Sequence, residues 1–142
     1  MKKFLLVLLF AVVPAWAQGP PIKITVGESF GVEWDYPHFS ATVRGCADTE
    51  INCISSFNVW DITGGVRFLL GTESAPVGAN TPVTGLLHIV AGSDNQDIGL
   101  REFAVTTVLR TEIGLFESVD SVKARGVMVP LPADGTKILS VQ

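Results

Sequence analysis

Phe103-Ala104-Val105-Thr106-Thr107-Val108-Leu109 is the stretch that decides the fold class. Phe103, Val105, Thr107 and Leu109 fall on every second position, which is the repeat of a strand with one buried face. A helix would need its apolar residues three and four apart. Working outward, Thr111–Gly114 reads as a turn, and Val119–Met128 as the last clear strand before Pro130 and Pro132. Upstream, Ala91–Gly99 is a polar loop preceded by a strand from Leu86 to Val90. Val66–Leu70 forms another strand after the Thr63-Gly64-Gly65 turn. Phe57 and Val59 alternate around Asn58; Phe30, Val32 and Trp34 alternate up to Pro37; Ile22, Ile24 and Val26 alternate up to Gly27. Residues 72–82, rich in small residues and proline, read as an irregular connection.

About seven short alternating strands, broken every eight to twelve residues by turn formers, predict an all-β, antiparallel two-sheet β-sandwich. No stretch after the N-terminal leader keeps an apolar i, i+3, i+4, i+7 stripe over ten residues, so helices should be minor.

The leader stands apart from this pattern. Lys2 and Lys3 precede the unbroken apolar run Phe4–Val13, then Pro14 and the small-x-small triplet Ala15-Trp16-Ala17. That order predicts a secretory signal peptide over residues 1–17, cleaved before Gln18. The run is shorter than the ~20 apolar residues that span a bilayer, so no membrane attachment is expected after cleavage. The remaining 125 of the 142 residues suffice for one domain, 18–132, with 133–142 as a tail or extra strand. Losing Lys2 and Lys3 from the chain's 10 Lys and Arg leaves 8 basic against 14 acidic residues, a net charge of −6. The basic residues are scattered singly, which disfavours nucleic acid as a partner.

Cys46 and Cys53 are the two cysteines. In an exported chain the expected state is a disulfide closing the loop Ala47–Asn52. A metal site would need further ligands, and His38 and His88 have no ligand-like spacing to the pair. No metal or cofactor is expected.

Several segments resemble the fibronectin type III family. Val32-Glu33-Trp34-Asp35-Tyr36-Pro37 is similar to that family's second strand, Phe57-Asn58-Val59 to its third and Phe103–Val108 to its sixth. Gly114, Glu117 and Ser118 sit where the family often turns before its last strand. The resemblance covers roughly residues 20–130 and implies an immunoglobulin-like sandwich that binds rather than catalyses. Two positions depart from it. Arg101 stands where the family has the tyrosine of its tyrosine corner, and the stretch from Pro37 to Phe57 is longer than usual and holds the cysteines.

Enzyme chemistry finds little to work with. No G-x-S-x-G, H-E-x-x-H or phosphate-cradling glycine loop is present. His38 follows Pro37 at a strand end, and His88 lies within a strand, opposite in facing to Leu87 and Ile89. Glu33 and Asp35 flank the core residue Trp34 about 7 Å apart, compatible with a carboxylate pair but on the wet face of the strand. Asp94 and Asp97 could donate oxygens to calcium, though not at the spacing of an EF-hand loop.

The binding surface is expected in the loops. The longest, His38–Ser56, carries His38, Phe39, Val43, Arg44 and Ile51, more apolar side chains than a passive loop needs: either they contact a partner, or Phe39, Val43 and Ile51 cap the end of the core. The sequence therefore predicts an exported non-catalytic recognition or structural module for a protein or glycan at a cell or particle surface. The alternatives are a subunit of an extracellular or virion assembly, self-associating through Thr136–Gln142 as an edge strand, and a small exported hydrolase or enzyme inhibitor.

Overall fold

The computed structural model describes residues 20–92 and 98–133. The leader 1–17, the Asp94 and Asp97 pair, and nearly all of the 133–142 segment lie outside the described residues. Eight strands follow in order: β1 Ile22–Thr25, β2 Ser29–Tyr36, β3 Cys53–Asp61, β4 Phe68–Ser74, β5 Val83–Val90, β6 Gly99–Thr111, β7 Gly114–Glu117 and β8 Ala124–Val129. The described residues contain no helix beyond the single 3-10 turn Thr63–Gly65.

The chain is all-β with two sheets. Among the described residues the larger runs β1-β8-β6-β3-β4, with β7 also on β6, and the smaller holds β2 and β5. β6 pairs antiparallel with β3 along one edge, from Phe103 opposite Asp61 to Arg110 opposite Cys53. Its other edge is shared by two strands, β8 on residues 99–103 and β7 on residues 108–111. β1 adds to β8 in parallel.

One core lies between the two layers. Val32 and Trp34 of β2 and Ile89 of β5 meet Ile54, Phe57 and Val59 of β3 and Phe103 and Val105 of β6. The rings of Trp34 and Phe57 are 5.6 Å apart, and those of Phe30 and Phe103 are 5.4 Å apart. Trp34 lies flat across the neighbouring strand: a Cβ at Gly85 would come within 2.1 Å of the indole. A smaller cluster of Ile24, Ala91 and Met128, with Val26 and Phe30 against it, closes one end of the layers.

The sequence expects one continuous strand from Val119 to Met128, and the structure breaks it. Ladder pairing stops at Glu117 and resumes at Ala124. Between them two serines serve β6 in place of a backbone ladder. Thr107 N donates to Ser118 Oγ at 2.9 Å and Val105 N to Ser121 Oγ at 3.0 Å. The Ser118 and Ser121 amides donate back to the Thr107 and Val105 carbonyls. The β6 groups are thereby satisfied without a strand, so Val119 and Val122 are left largely exposed. Other boundaries move less: β3 begins at Cys53, β6 extends beyond its alternation at both ends, and β4 starts two residues late and runs through Ser74.

Arg101 closes the far end of β3. Its Nε and Nη2 donate to Asp61 Oδ2 at 3.0 and 2.7 Å, and Thr63 donates to Asp61 Oδ1 from both its amide and its hydroxyl. Asp61 is 2% exposed. Removing one partner of such a pair strands the other charge in a dry site. Asp61→Ala should therefore lower unfolding stability in urea by about 3–5 kcal/mol. The joint replacement Asp61→Leu with Arg101→Met should cost much less. Equal losses in the two would show that the charge pairing is not what matters.

Candidate binding groove

The layers are unequal, and the shortfall leaves a groove. β2 lies over β3 and β6, as the Trp34–Phe57 and Phe30–Phe103 contacts show, and β5 lies over β4, where Gly71 meets Leu87. Among the described residues no strand pairs with the outer edge of β2. A third strand there would cover β7 and the adjoining edge of β6. In its place is an open cavity of about 560 Å³, walled by Trp34, Asp35, Tyr36 and His38 on one side. Ile54, Val105, Thr107 and Leu109 form its floor, with Phe116, Glu117, Ser118, Val119 and Ser121 opposite.

Its apolar lining follows from register. Phe116 pairs with Leu109 and so shares the inward face with Thr107 and Val105. With no described strand above them, Phe116 is 51% and Val119 89% exposed. Such side chains, clustered rather than scattered, mark an interaction surface.

β7 is held in place from its other face. Glu117 accepts hydrogen bonds from Thr106 Oγ1 at 2.6 Å, Asn58 Nδ2 at 2.8 Å and Trp60 Nε1 at 3.1 Å. Arg67 lies over the Trp60 ring at 4.6 Å and pairs with Asp120 at 2.7 Å. The Thr106 hydrogen bond in particular, with those of Asn58 and Trp60 and the nearby Arg67 charge, holds the Glu117 carboxyl below its ordinary range.

The five loop residues expected to form the binding surface are separated by the fold. His38 is exposed and lines the groove, its ring edge-on to Tyr36 at 5.3 Å. Phe39 is 3% exposed and packs on Tyr36 and Phe57 in the core, so it is unavailable as a surface contact. Arg44 forms an ion pair with Glu50. Val43 and Ile51 are exposed at 39% and 43% but do not line the groove. Cys46 and Cys53 form the expected disulfide, with Cα atoms 5.1 Å apart. The loop is further tied by Gly45 N to Ala79 O and by Arg110 Nη1 to Asp48 O.

The groove residues missed in the sequence are Leu109, Phe116 and Val119 as a set. The adjacent apolar pair Leu115-Phe116 just after the Gly114 turn is the available signal, since a tight hairpin must return it alongside β6.

The groove's two serines are occupied. The Ser118 hydroxyl donates to the Val119 carbonyl and that of Ser121 to the Val122 carbonyl, while both accept from β6 amides. Neither hydroxyl is placed as a base-activated nucleophile. Glu33 and Asp35 both face solvent on β2, and Asp35 accepts from Thr84 Oγ1 at 3.0 Å. His88 is exposed on β5. Among the described residues no three His, Cys, Asp or Glu side chains are grouped to hold a metal, and no helix is long and apolar enough to cross a membrane. Compared with known proteins, the chain matches no family model and no curated relative.

The depressed Glu117 carboxyl gives a pH test. A group whose folded value lies below its unfolded one adds stability that is complete above the ordinary value of 4.5 and is lost as pH falls through the lower folded value. Urea midpoints measured from pH 6 down to pH 3 should fall less steeply in Glu117→Gln than in the parent. Superimposable pH profiles would remove Glu117 as the anchor of β7.

Proposed function

We propose that the chain is an exported, non-catalytic recognition or structural module of the immunoglobulin-like, fibronectin type III kind, which binds a protein or glycan at a cell or particle surface. The leader 1–17 and the Cys46–Cys53 disulfide support the export. The strand order supports the fold reading: β2 with β5 in one sheet and β3, β6 and β8 in the other follow the immunoglobulin arrangement of strands B and E against C, F and G. Arg101, in the position of the tyrosine corner, ties its strand to Asp61 by charge instead.

The observation that carries the binding reading is the open groove, where Trp34, Tyr36 and Phe116 stand around an apolar floor on rigid strands. Aromatic side chains in a concave site supply contact area at small entropic cost, and the fixed strands reduce what must be ordered on binding. The second reading, an assembly subunit, draws on the outer edge of β2, which no described strand pairs.

The chain expressed with its leader should appear outside the cytoplasm with an intact mass that begins at Gln18. That product, applied to arrays of immobilised glycans and extended peptides, should bind through the groove. Phe116→Asp should weaken binding by about 30-fold, the ~2 kcal/mol typical of a central aromatic contact, while Ile51→Asp on the disulfide loop should leave it unchanged. Turnover of an ester or glycoside substrate that disappears in His38→Ala would overturn the non-catalytic reading.

A further inference from the structure

We infer that the groove beside β2 receives residues 134–142 of a second copy of the chain, so that copies join head to tail. The inference rests on the groove being a binding surface, as proposed above, and names its partner.

Three observations lead there. The vacancy has the form of one missing strand, with an edge of β2 that no described strand pairs and a lining that includes Leu109, Phe116 and Val119. An added strand would satisfy both the backbone groups of that edge and the apolar floor. The sequence after Ala133 contains such a segment: in Thr136-Lys137-Ile138-Leu139-Ser140-Val141-Gln142, Leu139 and Val141 fall on one face when extended. The residues ahead of β1 are unsuited, because Pro20 and Pro21 have no amide to give to a ladder.

The third observation is the placement of the two ends. β8 leaves the large sheet beside Gly99, with Met128 opposite it. The groove lies around Thr107 and Leu109, at the other end of the same strand. Eight residues of strand separate Gly99 from Thr107, about 27 Å. The near end of the open side is also closed by Ile24, Val26 and Phe30. To fill its own groove the chain after Val129 would be limited to a path that reverses at that closure, with Pro130 and Pro132 at the reversal, and runs back along the sheet. A neighbour's segment meets no such limit. The contact is heterologous, with different surfaces on the two copies, so it propagates unless the rotation between them closes a ring.

Complementary variants of the chain from Gln18 to Gln142 provide the test. By sedimentation velocity the parent should form oligomers that grow with concentration. The groove variant Phe116→Asp should be monomeric, and so should the segment variant Leu139→Asp with Val141→Asp. Mixed at equal concentration, they should form one-to-one dimers and nothing larger, because one intact groove meets one intact segment. Dimer formation also shows that both variants are folded. A parent that stays monomeric at several hundred micromolar, oligomers that survive either variant, or a mixture that remains monomeric would each overturn the inference. If the mixture stays monomeric while Phe116→Asp still weakens binding on the glycan and peptide arrays, the recognition reading stands without it.

Discussion

The pairing of β6 with strands on both its edges holds the larger sheet together. β3 runs along one edge, while β8, two serine hydroxyls and β7 divide the other in sequence. Its residues Phe103 to Thr106 are all buried, a burial that neither edge strand matches. Because β6 donates and accepts along nearly its whole length, the segment from Gly114 to Val129 can break its own ladder without stranding polar groups. The break displaces the chain around Val119 outward and sets β7 as a separate wall.

The consequence is an imbalance between layers. Six strands need more cover than two can give, and the deficit falls over β7 because β2 and β5 sit over the opposite half of the large sheet. The near end of the open side is sealed by Ile24, Met128 and their neighbours, so the uncovered part narrows to the groove beside Trp34 and Tyr36. Glu117, hydrogen-bonded on the outer face, holds Phe116 toward the inner one. Binding and stability thus share a strand: the bonds that fix β7 also shape the surface on offer.

How much of this could be read from residues depends on the range of the interaction. The period-two pattern reports each strand's own burial, so β2, β5 and the centre of β6 were legible, as was Trp34 in the core. The cysteine pair was legible from its short separation. Strand pairing was not, since alternation says which face is dry and nothing about which neighbour covers it. Ser118 and Ser121, whose hydroxyls take the place of a ladder on β6, look like ordinary turn residues in sequence, so the final strand read as continuous. Phe39 could be read either as a partner contact or as a cap on the core, and only its contacts with Tyr36 on the adjoining strand and Phe57, eighteen positions away, decide for the cap. The groove, formed by β2, the start of β3, β6 and β7, is the most non-local feature and was the least visible.

The central claim is that, among the described residues, the small sheet lacks a strand on the outer side of β2. Amide hydrogen exchange along β2, in the chain shortened to residues 18–133, measures this directly; all eight strands lie within that range. Between Val32 and Tyr36 the account predicts alternation, with amides bonded to β5 exchanging slowly and those facing the open edge exchanging orders of magnitude faster. Uniformly slow exchange through that stretch in a monomer would contradict it, for it would mean that the edge is already covered.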